Sequence, residues 1–158
     1  MPESAVKVMN RMLSIIVERL MKTGAFVTQM VQWGEQSRIR AITDPATGLF
    51  NRRYLEESLE SLVNRAKTEG KPLSFVMFDM DRFGKLNAAY GQEFCDGLIV
   101  EASKVYRQVF SNDDILVRYG GDEFIFMFPN TGPAGAQAKC DALCAAVAAM
   151  RFPSHEEL

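Results

Sequence analysis

The chain has 158 residues and a mass of 17.7 kDa, which suffices for one domain with an appendage but not for two full cores. Apolar residues make up 47% and charged residues 24% of it, which excludes intrinsic disorder and fibrous repeats. The net charge of −2 excludes general affinity for the nucleic acid backbone, so no nucleic acid partner is expected. Three cysteines without metal-ligand spacing argue against a zinc site and for a cytoplasmic location, although attachment of a longer parent protein to a membrane stays open.

Residues 1–43 differ in charge and pattern from the rest of the chain. They carry six basic and three acidic residues, whereas residues 44–158 carry twelve and seventeen, so we place a domain boundary before Asp44. Two interpretations of the first segment stay open: a helix, or two with a break near Gly24, folded back on the domain, and a stalk that pairs in parallel with a second copy. Both rest on apolar spacings that alternate between three and four, as in an a/d seam, at Val6, Met9, Leu13, Ile16, Leu20, Thr23, Val27, Met30, Gly34, Ser37 and Ala41.

The second segment predicts alternating helices and strands. Asn51 is a candidate N-cap for a helix that runs from Arg52 to about Lys67. The continuous apolar run from Leu73 to Phe78 predicts a buried central strand. The other predicted elements are a helix over 93–110, two strands over 115–119 and 123–128 that form a hairpin, and a helix over 133–150.

Acidic residues follow the first predicted strand and occupy the hairpin turn. Asp79 and Asp81 come directly after the apolar run, and Asp122 and Glu123 follow two glycines. If the hairpin lies beside that strand, Asp79 and Asp122 converge, and two neighbouring carboxylates repel unless a cation binds. Oxygen ligands of this kind suit Mg²⁺, although each motif alone is also common in ordinary turns.

The segment from Arg118 to Phe124, with the sequence RYGGDEF, resembles the signature turn of the GGDEF family, the diguanylate cyclases. Four further segments match the family pattern in order and spacing over residues 42–152. They are the opening motif at 44–53, the metal-binding end of a strand at 78–83, the pair Asn87 and Asp96, and the segment 129–131. The resemblance implies an α+β fold like the palm of nucleotidyl cyclases and polymerases. In that fold, helices flank an antiparallel sheet, here preceded by an N-terminal helical segment.

The resemblance also implies an activity, the condensation of two GTP into cyclic di-GMP with release of pyrophosphate by a homodimer that needs Mg²⁺ or Mn²⁺. Asp79, the Met80 carbonyl and Asp122 would bind the metal, and Asp122 with Glu123 would serve catalysis. The substrate would be held by Asn87 and Asp96 on the guanine, by backbone amides around Arg82 and Phe83 on the phosphates, and by close approach to Gly120 and Gly121.

Several positions depart from the family pattern. Gly84 stands where a phosphate-binding lysine is usual, and Ala88 replaces an aspartate. Of the inhibitory Arg-x-x-Asp motif only Asp114 remains, so product inhibition is expected to be weak or absent. The family continues beyond Phe152, so we expect 44–158 to be a C-terminally incomplete domain, with a sensor or effector domain in a longer parent. The alternative functions are a degenerate GGDEF domain that binds GTP and regulates a partner without turnover, and a purely structural dimerisation unit.

Overall fold

The structure is a computed structural model that describes the backbone of residues 3–150 and the side chains of residue 7 and residues 9–150. The chain divides into two compact units, Met1–Ala41 and Ile42–Leu158. The side chain of the predicted seam position Val6 and the predicted domain residues after Met150 lie outside these described parts.

The first unit is formed by one helix, α1 (Glu3–Ile42), which runs continuously through Gly24. Of the two open alternatives, one helix or two with a break near Gly24, this described helix has the unbroken form, because the cost of one glycine, about 1 kcal/mol, is small beside the cooperativity of a long helix. Its seam residues Leu13, Ile16 and Leu20 are exposed in the single chain. Across the described residues, none of the helices combines the length and apolar composition that crossing a bilayer requires.

The second unit contains a four-stranded sheet in the order β1-β3-β4-β2. The strands are β1 (Phe50–Asn51), β2 (Leu73–Asp79), β3 (Ile115–Gly120) and β4 (Glu123–Pro129). The pairs β3–β4 and β2–β4 are antiparallel, as the family resemblance implied, and β1 adds a short parallel pairing along β3. The expected fold class is confirmed, with a sheet that is mixed because of β1.

Four helices flank this sheet: α2 (Arg52–Glu69), α3 (Phe83–Tyr90), α4 (Gln92–Val109) and α5 (Pro133–Ala148). The predicted cap of α2 is confirmed, because the side chain of Asn51 accepts a hydrogen bond of 3.1 Å from the Tyr54 amide. Gly70, in the left-handed conformation, ends α2.

Two hydrophobic clusters cover the two faces of the sheet. Successive residues of β4 point to opposite faces, so this strand contributes to both clusters and is almost completely buried. One cluster joins the sheet to α4 and α5 through Ile99, Tyr106, Phe110, Phe124, Phe126, Phe128 and Leu143. The other joins it to α2 through Leu55, Leu62, Val117, Ile125 and Met127.

The inner strands of the described part of the sheet are β3 and β4, which corrects the expectation that the run Leu73–Phe78 is a buried central strand. Within the described part of the chain, β2 pairs with β4 alone, and its residues Phe75 and Met77 are 48% and 61% exposed. Val76 and Phe78, which alternate with them, pack against the α4–α5 cluster. A continuous apolar run can occur in a strand that is buried on only one face as well as in a strand that is buried on both. The run alone therefore did not determine the position of this strand in the sheet.

Candidate metal and nucleotide site

The acidic residues predicted to converge lie at one end of two adjacent strands. Asp79 ends β2, and the register of the sheet places it directly opposite Glu123, the first residue of β4. Asp122 precedes Glu123 in the turn and is partly buried, whereas Asp79 and Glu123 are exposed. Like charges directly opposite each other on antiparallel strands destabilise the pair, so this end of the sheet favours a cation.

The turn that carries Asp122 has an irregular backbone. Arg118 pairs with Phe124 and Gly120 pairs with Glu123, so β3 contains one residue more than β4 at this point, a β-bulge. Gly121 has a φ of +55°, which favours glycine. A Cβ atom added at Gly120 or Gly121 would meet no atom of the described residues within 4 Å, so a ligand has open access to this backbone.

The oxygen donors at this end of the sheet fit Mg²⁺ or Mn²⁺ better than a metal that needs a full protein cage. Within the described residues, no three histidine, cysteine, aspartate or glutamate side chains gather closely enough to hold a metal ion. The predicted set is smaller, two carboxylates and the Met80 carbonyl, and Mg²⁺ characteristically binds one or two carboxylates while keeping waters or substrate phosphates. The Met80 carbonyl accepts a 3.2 Å hydrogen bond from the Phe83 amide, and its second lone pair remains available to a cation.

The segment between β2 and α3 presents backbone amides beside these carboxylates. Arg82 adopts a left-handed conformation with a φ of +61°, which is uncommon for a residue other than glycine. The Phe83 amide, expected to contact phosphate, is engaged with Met80. Among the backbone hydrogen bonds of the described turns and loops, none is donated by the amides of Asp81, Arg82 and Gly84, which are therefore the better candidates for an anion at the start of α3.

The two residues predicted to read guanine lie on consecutive helices. Asn87 is in α3 and Asp96 is in α4, and both side chains are exposed. Gly91, with a φ of +84°, separates the two helices, and the rings of Tyr90 and Phe94 pack across this junction at 5.1 Å. Both predicted side chains are therefore accessible, and their role stays a prediction.

Asp114, the remaining residue of the inhibitory motif, is committed to contacts within the protein. It forms an ion pair with Lys139 and accepts hydrogen bonds of 2.8 Å from both the amide and the hydroxyl of Ser111. Its side chain is 2% exposed, and Lys139 also lies 5.0 Å from the Phe128 ring centroid. These contacts give Asp114 a structural role that the spacing of the motif could not reveal.

Sequence reasoning also missed a hydrogen-bond network behind the signature turn. Asp44 accepts hydrogen bonds from the Thr47 amide at 2.9 Å, from the Thr47 hydroxyl at 2.7 Å and from Arg118 Nη1 at 3.1 Å. Arg118 Nε donates to the Gly121 carbonyl at 3.0 Å. Burial raises the pKa of Asp44, but the hydrogen bonds from Thr47 and Arg118 outweigh that effect and leave the pKa below its usual value.

Comparisons with known proteins agree with this geometry. The family model "Diguanylate cyclase, GGDEF domain" matches residues 41–158. The chain is 34% identical over 118 residues to diguanylate cyclase DgcP of Pseudomonas aeruginosa, and 34% identical over 119 residues to cyclic di-GMP phosphodiesterase PdeR of Escherichia coli. Each match covers 75% of this chain and 18% of the relative. The crystal structure of the coiled coil and GGDEF domain of DgcB from Caulobacter crescentus, in complex with c-di-GMP, aligns with a TM-score of 0.75 at 26% identity, over 81% of this chain and 67% of that one.

The match over residues 41–158 defines the class of domain: the chain belongs to the GGDEF domain family. The family predicted from the motifs is thereby confirmed. The chain spans about a fifth of the length of these two curated relatives, whose names refer to opposite activities, synthesis and hydrolysis of cyclic di-GMP.

Proposed function

We propose that this chain is the GTP-binding part of a diguanylate cyclase, in which two copies condense two GTP into cyclic di-GMP and release two pyrophosphates. The observation that carries the proposal is the register that places Asp79 opposite Glu123, with Asp122 beside them in an open glycine turn. This arrangement combines two needs of nucleotidyl transfer, oxygen ligands for a divalent cation and free space for a triphosphate.

In this proposal Asp79, the Met80 carbonyl and Asp122 hold Mg²⁺ or Mn²⁺. When bound, the metal neutralises the charge of the phosphates and acidifies the attacking hydroxyl. Asp122 accepts the proton of the 3′-hydroxyl, and Glu123 supports the arrangement from the adjacent position. Asp122 is suited to this work because its turn is open to ligand on the glycine side.

Substrate binding falls to the residues around α3 and the start of α4. The amides of Asp81, Arg82 and Gly84 bind phosphate oxygens. Asp96 accepts hydrogen bonds from N1–H and the exocyclic amine of guanine, and Asn87 contacts the same edge. Adenine lacks both donors at those positions, so GTP is preferred over ATP.

Each copy binds one GTP, so the reaction requires a homodimer in which the two sites face each other. The exposed apolar seam of α1 supports such pairing, because residues at a and d spacing bury their side chains in a parallel coiled coil. A sensor or effector domain of a longer parent could then regulate turnover by changing how the two helices pair. GTP, the dimer and the partner domain are all parts of the proposal.

A second candidate function is GTP binding without turnover, with regulation of an attached partner domain. The observation that favours it is Gly84, which has no side chain where a lysine would contact phosphate. The adjacent Lys85 is exposed, but neighbouring helix positions point about 100° apart, so it does not replace the missing group. The similarity to a protein named as a phosphodiesterase is compatible with this second function.

The experiment that separates the candidates uses the full chain with GTP and Mg²⁺. Chromatography measures cyclic di-GMP, and calorimetry measures GTP binding with a non-hydrolysable analogue. Product formation supports the cyclase, binding without product supports the regulatory domain, and no binding leaves a structural dimerisation unit. Asp122→Ala should abolish turnover without unfolding the chain, whereas the control Glu60→Ala, at an exposed position of α2, should leave turnover unchanged.

A further inference from the structure

We infer that Arg118 is a positioning residue for Asp122, acting through the carbonyl of Gly121; this inference rests on the proposed function. Two nitrogens of the guanidinium donate hydrogen bonds to two different acceptors. Nε donates to the Gly121 carbonyl at 3.0 Å, and Nη1 donates to Asp44 Oδ1 at 3.1 Å. The Arg118 and Asp44 side chains are only 15% and 19% exposed, so water competes weakly for the bond between them, whereas the bond to Gly121 lies at the surface of the turn.

The bond to Gly121 fixes the peptide group that enters Asp122. The Gly121 carbonyl and the Asp122 amide belong to one planar peptide unit, so holding the carbonyl also sets the direction of the Asp122 backbone. The turn contains two successive glycines, Gly120 and Gly121, which have the greatest conformational freedom of any residue. Without the arginine, that freedom would spread the Asp122 carboxylate over many positions.

Asp44 gives the arginine a rigid anchor. Its carboxylate is already held by the amide and hydroxyl of Thr47, and its backbone amide donates to the Leu49 carbonyl at 2.8 Å. Leu49 is buried in the α4–α5 cluster, so this loop is tied to the core. The network therefore connects the core, through Asp44 and Arg118, to the peptide before Asp122.

The geometry requires arginine rather than any cation. A guanidinium presents several N–H groups in a fixed plane and can bind two acceptors in different directions at once. A lysine ammonium is a point charge on a flexible stem and would bind Asp44 or Gly121 but would not fix both. Arg118→Lys therefore keeps the charge and removes the positioning.

The test compares Arg118→Lys with the matched control Arg65→Lys, at an exposed position of α2, in the full chain. In a turnover assay with GTP and Mg²⁺, Arg118→Lys should lower kcat by about 10- to 100-fold, as for other groups that orient functional residues, with KM near the unmodified value. Asp44→Asn keeps an acceptor and should lower kcat less than Asp44→Ala. A raised KM with unchanged kcat, or unchanged turnover in folded Arg118→Lys, overturns the inference.

A second measurement does not depend on turnover, so it separates this inference from the proposed function. Nitrogen-15 relaxation reports the mobility of the Gly121 and Asp122 amides in the chain without nucleotide. Increased mobility confined to this turn in Arg118→Lys supports the positioning role even if the unmodified chain forms no product, a result that would count only against the cyclase. Unchanged mobility at both amides overturns the role of Arg118 whether or not the chain is a cyclase.

Discussion

Asp79 and Glu123 are directly paired across the antiparallel β2–β4 ladder. Both side chains are exposed, so two carboxylates lie side by side at this end of the sheet. We predict that Asp79→Asn raises the free energy of unfolding, by up to about 1 kcal/mol, when divalent ions are absent. The same change should abolish the increase in melting temperature that the proposed function predicts for the unmodified chain with Mg²⁺ and GTP.

Thermal unfolding with and without Mg²⁺ and GTP measures both effects. Asp113→Asn, which removes an exposed carboxylate at the other end of β3, is the control and should keep the ligand-induced increase. A loss of stability in Asp79→Asn without divalent ions would show that the two carboxylates do not repel.

The second prediction concerns the pH dependence of stability at Asp44. Its pKa is lower in the folded chain than in the unfolded chain, where it is about 3.9, so the unfolded chain binds the proton more tightly. Asp44 therefore contributes stability above the unfolded pKa, and this contribution is lost as the pH falls through the folded pKa. Urea unfolding between about pH 5 and pH 3 should show a steeper loss for the unmodified chain than for Asp44→Asn. Equal slopes would mean that Asp44 gains nothing from Thr47 and Arg118.

The sequence predicted the elements of the second unit because their periodicity is local. The helix that begins at Arg52 and the strands around the hairpin were found within one or two residues of the observed bounds. The helix α3 and the strand β1 were missed. The helix has only eight residues, and the strand has two residues held by pairing with Val117 and Arg118 far along the chain.

In the candidate site, too, an arrangement of neighbouring elements was predicted, whereas contacts between residues far apart in the sequence were not. Convergence of Asp79 with the turn was predicted from a conditional argument about neighbouring strands, and the register supports it. The hydrogen bond between Asp44 and Arg118 joins residues 74 positions apart, and the sequence around either residue does not indicate which residue it contacts. The contact between Asp114 and Lys139 is likewise formed by packing of α5, whose position the sequence did not specify.

The third prediction concerns the hydroxyl of Tyr106. The side chain is fully buried among Phe78, Phe124 and Phe126, and its hydroxyl is the one buried side-chain polar atom of the described residues without a hydrogen-bond partner. Burial also raises the pKa of this hydroxyl. Because an unpaired buried hydroxyl costs about 1–3 kcal/mol, Tyr106→Phe should leave the free energy of unfolding unchanged or raise it.

Urea denaturation of Tyr106→Phe and Tyr106→Ala tests this interpretation. The alanine variant loses the ring as well and should be destabilised by about 3–5 kcal/mol, which verifies that the site is a packed core. If Tyr106→Phe is destabilised by more than about 1 kcal/mol, the hydroxyl has a partner, such as a buried water.

The last prediction distinguishes the two interpretations of α1. If the apolar seam pairs two copies, Ile16→Asp and Leu20→Asp should each shift the chain from dimer to monomer, because burial of each such side chain contributes about 1.5–3 kcal/mol. Met21 is exposed beside the seam, so Met21→Asp introduces the same charge without removing a seam contact. Analytical ultracentrifugation should find monomers for the two seam variants and dimers for Met21→Asp, and only the monomers should lose turnover. A monomeric unmodified chain, or equal disruption by Met21→Asp, would exclude the parallel stalk.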